Sequence, residues 1–514
     1  MMNCVICAQA VPPRNAALDG RMPYPRPSAA LLAHLSARLG PAGFTSDPAD
    51  LAPWLTDWRR RLAGAAAALV SPADAEQAAF VVASAAAEGV AIVPQGGNSS
   101  MVAGATPAGI GADGEGCALL VSMRRMRTIR SVSAADNAVV AEAGVVLADL
   151  HAAVEAEGRR FPLSLAAKGN ATVGGLISTN AGGTQVLRFG PMRSLVLGLE
   201  AVLPDGSMFR GLAPLRKDNR GYDLKQLLIG GEGTLGLVTA ATLRLVPAIG
   251  ARAVSWIGLR SAEDALTLLR LLEDQVGEAI ESFELVPAEG LALVLRHIPD
   301  TRAPLGEAWD WNVLVEAVSP PGAAPIAPRL ESALAEAMEH GLVGDATIAA
   351  SESQADALWK LRESLSEAEA RDGMAAKHDI AVPVADMPGF MARAAAAVTQ
   401  RFPGARPIAF GHLGDGNVHF NVRAPAGSDG GDGGKAWFAA TAANVSRFVH
   451  RLVTEAGGSM SAEHGIGRLK RADFLDLVDP ARLAAMLAIK RALDPAGIMN
   501  PGALLPLAEA RERP

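Results

Sequence analysis

The sequence predicts an α+β protein of more than one domain. Three observations lead there. Strand-like and helical runs mix along the chain without strict strand–helix alternation. The G-x-G-x-x-G match from Gly231 to Gly236 is followed by a β-like run, Leu237–Val246, where a doubly wound nucleotide fold requires a helix. The 514 residues correspond to roughly two to four domains at about 100–200 residues each.

Composition narrows the function. The chain is 50% apolar and 20% charged, as soluble globular proteins are. Lys+Arg 47 against Asp+Glu 54 gives −7, and no Lys/Arg-rich run stands out, so nucleic acid is excluded as a partner. Aromatics at 4% also argue against base-stacking platforms. Three cysteines cannot build a disulfide framework and point to a reducing compartment. No stretch approaches the roughly 18 continuous apolar residues of a membrane span. The expected location is cytoplasmic, with a peripheral contact at the inner membrane left open.

In order along the chain, residues 1–30 read as an irregular arm, with prolines at Pro12, Pro13, Pro23, Pro25 and Pro27 and a lone Cys4-x-x-Cys7 pair. A helix over Ala73–Glu88 stops at Gly89, and a strand follows at Val90–Pro94. Ala118–Ser122 and Ala138–Ala143 read as strands, Leu147–Glu157 as a helix stopped by Gly158, and Leu195–Leu203 and Ala240–Val246 as strands. After about residue 250 longer helices are expected at Ser261–Gln275, Ile326–His340, Ala355–Arg371 and Met387–Gln400, alternating with strands Trp311–Val318 and Lys377–Val384. Ala424–Lys435 reads as a surface loop, and helices return at Phe438–Glu455 and Arg482–Leu493. The expected division is 31–250, 251–490 and a C-terminal segment 491–514.

Three clusters concentrate Gly, Ser, Thr and Asn: Gln95–Gly104, Lys168–Gly183 and Gly230–Gly236. Glycine lets backbone N–H groups approach an anion closely, and Ser99, Ser100, Thr172 and Ser178 add hydroxyl donors. Three such loops separated by strands predict a large phosphate-bearing ligand.

The second half carries the reactive side chains. Pro407–Val422 reads as a hairpin turning at Asp415-Gly416. With a loop over Gly414–Asn417, His412 would directly face His419, and Asn421 would share their face. Two converging imidazoles can share a metal or simply cap carbonyls. Ser461–Gly467 places Glu463 and His464 among glycines, and a His/His/Glu set would leave an open coordination position. On the Ala355–Arg371 helix, Trp359, Arg362 and Ser366 fall on one face, where Arg362 can clamp a carboxylate or pair with Glu363 or Glu369.

Pro94–Gly104, Gly169–Gly190, Arg216–Gly236 and the ending Leu493–Gly502 resemble the vanillyl-alcohol oxidase/PCMH flavoprotein family. Within it the chain is similar to FAD-linked D-2-hydroxy-acid dehydrogenases, most of all those acting on D-2-hydroxyglutarate. The resemblance implies a two-subdomain PCMH-type FAD-binding domain plus an α+β substrate cap. It assigns to FAD Pro94, Gly96, Gly97, Asn98, Ser99, Ser100, Gly104 and Ala105 in the first cluster. In the second it assigns Gly169, Thr172, Gly174, Gly175, Ser178, Asn180, Gly182, Gly183 and Gly190. Glu232, Gly233, Gly236 and Val238 follow in the third, and Asn500 near the C-terminus. Gln95–Val102 contains no His or Cys, so the FAD is expected to be non-covalent.

The same resemblance makes His412, His419 and Glu463 ligands of a divalent metal, Zn²⁺ ahead of Mn²⁺, and His464 the catalytic base. Arg362, Ser366, Lys377 and Asn421 would bind substrate, with Ser366 standing where relatives carry Thr. The implied reaction removes a proton from a D-2-hydroxy acid and passes hydride to flavin N5, converting D-2-hydroxyglutarate to 2-oxoglutarate. D-Lactate, D-malate or glycolate is the alternative. The implied partners are an acceptor such as electron-transfer flavoprotein or a quinone, and a second copy in a homodimer.

Overall fold

The structure, a computed structural model, describes residues 24–107, 117–427 and 431–506. The Cys4/Cys7 pair lies outside them. The α+β expectation holds: three larger sheets and a two-stranded one are interleaved with helices. A four-stranded sheet runs Phe44–Thr45, Ala68–Val70, Leu119–Ser122, Ile92–Gln95. A five-stranded antiparallel sheet runs Ile129–Ser133, Ala138–Glu142, Leu237–Arg244, Val196–Val202, Met208–Gly211. Both share one core, in which Val82, Ile92, Leu119, Leu199 and Leu243 are fully buried. The C-terminal segment joins this core through Ile498 and Met499, and Asn500 N–H donates to the Ile92 carbonyl at 2.7 Å.

The second half is built on a seven-stranded antiparallel sheet. Its order is Asp345–Ile348, Ala251–Leu259, Trp311–Ser319, Ile280–Pro287, Arg406–His412, Asn417–Arg423, Ala375–Ala381. Alternation along its strands sorts the side chains. Val418, Phe420, Val422, Ala376 and Ile380 point to a core shared with helices Ala262–Val276, Ala327–Glu339 and Met387–Arg401. The opposite face carries Ile408 and Phe410 under helices Ala288–His297, Glu352–Glu363 and Leu365–Asp372. The reactive residues occupy this second face.

Several elements differ from expectation. Most of the expected arm lies outside the described residues; at its end Ser28 caps a helix, Ala29–Leu39, whose Leu31, Leu35 and Leu39 are buried at helical spacing. The strand expected at Ala240–Val246 is Leu237–Arg244, and Val246–Pro247 leaves it to pair with Arg159–Arg160. The Lys377–Val384 strand is Ala375–Ala381, ended before Pro383. The helix expected from Phe438 begins at Gly431, inside the stretch read as a loop; glycine propensity hid the start, because the apolar period begins only at Trp437. The helix expected over Ala355–Arg371 is two helices, broken at Ser364, whose ψ of −6 turns Leu365 and Ala368 onto the core. Among the described residues no helix is long and apolar enough to cross a membrane.

The halves meet at a buried ion cluster. Glu281, on a cap-sheet strand and 0% exposed, receives guanidinium groups from Arg160 and Arg188 of the first half, the latter at 2.6 Å. Breaking a buried ion pair by removing one partner strands the other charge. Glu281→Ala should therefore cost about 3 kcal/mol and lower the thermal midpoint by several degrees in a melting scan. Arg188→Ala should cost less, since Arg160 stays in place; equal midpoints for wild type and Glu281→Ala would refute the clamp.

Candidate active site

The hairpin closes differently from the expected register. His412 pairs with Asn417, and His419 pairs with Phe410. The loop is Leu413–Gly416: Gly416 takes a left-handed φ of 79, and its N–H and that of Asp415 return to the His412 carbonyl. His412 and His419 are thus diagonal neighbours, not opposed. Residues two apart share a face, so they still converge, with ring centroids 5.5 Å apart and nearly perpendicular planes. Asn421 lies on that face, and the adjacent strand adds Asp379 opposite His419 and Lys377 opposite Asn421. On the other side Glu284 pairs with His412.

Glu463 arrives from a distant loop. One ligand atom each from His412, His419 and Glu463 lies within 4.8 Å of the others, and His412 Nε2 stands 3.8 Å from Glu463 Oε1. Two ring nitrogens and one carboxylate oxygen suit a divalent cation. The outer partner is present as well: His412 Nδ1 meets Glu284 Oε1 at 2.7 Å, leaving Nε2 for the cluster. Burial disfavours charge on His412, but Glu284 overrides it and lifts the ring to about 9. Burial and the neighbouring His412 hold His419 down at about 3. Burial pushes Glu463 up to about 7.

Asp379, 3% exposed, organises the next layer. Its Oδ2 accepts the backbone N–H of Glu463 at 3.0 Å and of His464 at 3.1 Å, and lies 3.2 Å from His464 Nδ1. Asn417 Nδ2 donates to Oδ1 at 2.9 Å. Burial opposes ionisation, yet His464, Lys470 and these donors hold Asp379 well below the usual carboxylate range. Burial lowers the pKa of His464, which favours the neutral ring.

The residues expected to hold substrate carboxylate are themselves paired. Arg362 is 7% exposed and reaches Glu284 at 2.7 Å, over the Phe410 ring, not Glu363 or Glu369. Lys377 Nζ sits 2.9 Å from Glu369 Oε2, which also accepts from Asn421 Nδ2 at 2.7 Å. The helix break separates Ser366 from Arg362: its side chain is exposed and its carbonyl accepts from Lys377 at 3.2 Å. Glu284, Asp379 and Lys470 escaped the sequence reading, and Glu369, read there only as a partner for Arg362, pairs with Lys377 instead. The available signal was acidic residues inside otherwise apolar strand runs.

The glycine clusters converge beside this face. A Cβ on Gly97 would lie 1.7 Å from the Asn170 carbonyl oxygen, one on Gly96 2.2 Å from Thr172 Oγ1, and one on Gly183 2.0 Å from the Ser164 carbonyl oxygen. Gly174, Gly233 and Gly236 are similarly crowded, against Ala143, Pro94 and the Val202 carbonyl. Gly190 adopts a φ of 73. Thr172 Oγ1 is buried without a partner, a donor left over in a narrow backbone cradle. Ser99, Gly169, Gly175 and Val238 line these same segments, Val238 buried at 5%. Other expected contacts are occupied within the protein. Ser100 Oγ accepts from Gly104 N–H, Ser178 Oγ donates to the Gly174 carbonyl, and Asn180 Oδ1 accepts from Arg193 N–H. Asn98 Nδ2 donates to the Thr56 carbonyl, and the Ala105 carbonyl accepts from Gln95. Asn500 Nδ2 bridges the Gly104 and Glu232 carbonyls. The buried Glu232 carboxylate accepts Ile466 N–H at 2.8 Å and Gly467 N–H at 2.7 Å, while Gly182 packs on Glu463. The third cluster is thereby tied directly to the Glu463–His464 loop.

Comparison with known proteins identifies the family and the fold. Residues 66–211 match the FAD binding domain family, and residues 250–504 match the C-terminal domain of FAD linked oxidases. The mitochondrial D-2-hydroxyglutarate dehydrogenase of Bos taurus is 36% identical over 95% of this chain and 85% of its own length. The D-2-hydroxyglutarate dehydrogenase of Xanthomonas citri pv. viticola is 34% identical over 90% and 94%. Among solved structures, p-cresol methylhydroxylase superposes with a TM-score of 0.70 at 13% identity, over 94% of this chain and 97% of its own. The 4-ethylphenol oxidase of Gulosibacter chungangensis gives 0.67 at 16%, over 94% and 97%. The fold is the PCMH-type flavoprotein fold, and the chain belongs to the FAD-linked D-2-hydroxy-acid dehydrogenases within it. It is an FAD-dependent oxidoreductase acting on CH–OH donors.

Gly97 offers the sharpest test of the cradle. Gly97→Ala drives a methyl into the Asn170 carbonyl and separates the first two clusters. It should weaken flavin retention by about tenfold or more, the equivalent of about 1.4 kcal/mol, read from the visible flavin band of purified protein with unchanged far-UV dichroism. Full flavin occupancy would place the cofactor elsewhere.

Proposed function

We propose that this chain oxidises D-2-hydroxyglutarate, in preference to D-lactate, D-malate or glycolate, to the 2-oxo acid. Non-covalent FAD would be held by the three glycine clusters and a divalent metal, Zn²⁺ ahead of Mn²⁺, by His412, His419 and Glu463. Bound FAD supplies an acceptor for the C2 hydrogen and its electron pair, and the metal supplies a Lewis acid that favours the ionised hydroxyl. The observation that carries this reading is the adjacency of Glu463 and His464. One residue closes the ligand set, and the next presents an imidazole held by Asp379.

The protein's own contribution follows from that layout. With Nδ1 turned to Asp379 Oδ2 at 3.2 Å, His464 keeps Nε2 as a proton acceptor for the 2-hydroxyl. Burial favours its neutral form, which is the form a base needs. Asp379 also holds the backbone of Glu463, so metal ligand and base move together. Glu284 orients His412 and is itself held by Arg362, which places Arg362 one contact behind the metal. Lys377, Asn421 and the Ser366 backbone form a polar patch on Glu369 that can receive substrate oxygens. The names of the relatives support D-2-hydroxyglutarate as the preferred acid.

Chelation, or His412→Ala or His419→Ala, should abolish turnover in a dye-linked assay while the flavin spectrum persists. His464→Ala should keep both metal and flavin and lose about 10²–10⁴ in rate. Re-added divalent metal should rescue chelated wild type but not His464→Ala. Undiminished activity in protein shown by elemental analysis to be metal-free would sink the metal role.

A further inference from the structure

A cleft of about 730 Å³ opens where the two halves of the protein meet, and none of the residues assigned above to FAD, metal or substrate lines it. Its size is that of a small-molecule pocket. The first half contributes Arg160, Arg188 and Arg244, with Phe189 and Val246. The second half contributes Ile280 and Val318. Contacts of the backbone and the rings bring the arginines together. Val246, two residues after Arg244, pairs with Arg160. The guanidinium groups of Arg160 and Arg188 lie over the same Phe189 ring, 5.4 Å and 5.0 Å from its centroid.

These cations are only partly spent. A guanidinium carries five N–H donors. Arg160 and Arg188 share the single carboxylate of Glu281, Arg188 through Nη1 alone. Arg244 is half-buried and makes no hydrogen bond or ion pair among the described residues. Two cations on one carboxylate leave a positive charge uncompensated, and Arg244 adds another. Half-buried charges are solvated less well than in water, so an anion that reaches them is favoured. Ser319, 5% exposed in the same lining, also keeps a buried hydroxyl with no partner. The acids of the lining are Glu273, which pairs with Arg270, and the exposed Glu278. They oppose a ligand charged at both ends.

We propose that this cleft is a second ligand site, separate from the substrate site, for an organic molecule with one anionic head and an apolar body. The head, a carboxylate or a phosphate ester, binds the open N–H donors of Arg188 and Arg244, whose planar forks match either group. The body packs against Phe189, Val246, Ile280 and Val318, and that burial favours an organic ligand over a simple inorganic anion. The ligand touches both halves beside the Glu281 clamp. A dicarboxylate is disfavoured by Glu273 and Glu278, which separates this ligand from the proposed substrate.

The test titrates the full-length holoenzyme with octanoate and with octyl phosphate by isothermal titration calorimetry. Acetate and 1-octanol serve as the head-only and body-only controls. One molecule should bind per chain, and both controls should bind at least about tenfold more weakly. Arg244→Ala should weaken binding by about tenfold or more, the scale of one lost charge-assisted hydrogen bond, and Arg244→Lys by less. The flavin spectrum and far-UV dichroism of both variants should match wild type. Lys377→Ala, in the proposed substrate patch, should bind the probes as wild type does. The tighter of the two probes identifies the head as a carboxylate or a phosphate ester. No binding of either probe, equal affinity in wild type and Arg244→Ala, or either control binding as tightly as the probes would overturn the proposal. Loss of binding in Lys377→Ala would overturn it as well, by placing the anion in the substrate site. The result does not depend on which acid the enzyme oxidises.

Discussion

The geometry of the reactive face depends on one buried carboxylate. Asp379 takes two consecutive backbone N–H groups, a side-chain amide and an imidazole. An ionised carboxylate in that position would be costly if any of these donors were absent. The requirement works in both directions. The sheet cannot bury Asp379 without the Glu463–His464 loop laid across it, and on the cap side the loop, with glycines at 465 and 467 in left-handed conformations, takes its position from that carboxylate. Packing of the cap and placement of the proposed ligand and base are therefore one event.

A second buried carboxylate extends the arrangement to the other half. Glu232 accepts the amides of Ile466 and Gly467, and Asn500 joins the Glu232 and Gly104 carbonyls. Arg468, 4% exposed, donates to the Thr106 and Pro501 carbonyls and to Asn500. One short segment thus carries the proposed base, faces the cap sheet through Asp379 and faces the glycine clusters through Glu232. The Glu281 clamp joins the same two halves at a second point. The proposed hydride transfer would tolerate little error in distance, and polar contacts on both sides of one segment are a direct way to limit that error.

Local pattern made the glycine clusters, the hairpin and the Glu463–His464 loop legible, because each is written in neighbouring residues. The wrong hairpin register did little harm: a shift of two keeps every side chain on its face, whereas a shift of one would have separated the histidines. The long-range partners were not legible. Glu284 meets His412 across 128 residues, and Glu232 meets Gly467 across 235. Nothing in the spacing around Arg362 announces that its helix breaks at Ser364, or that its guanidinium turns to Glu284. A Glu inside the apolar run Ile280–Pro287 marks a buried charge, but its partner depends on strand order, and strand order is a property of the whole sheet.

The charge balance explains why the face needs contributions from so many segments. Glu284, Glu369, Asp379, Asp415 and Glu463 crowd one region, and burial lifts Asp415 to about 6 and Glu463 to about 7. A site for an anion is expected to carry free cations, yet Arg362 and Lys377 are spent on carboxylates of the protein. That pairing fixes their donors in place, while the net field stays close to acidic. Under the proposed function the missing positive charge comes from a divalent ion, whose field favours the carboxylate form of Glu463 and the ionised hydroxyl of the substrate together. The same acids that repel an anionic substrate from the bare face become, with the ion in place, the scaffold that orients the groups meeting it.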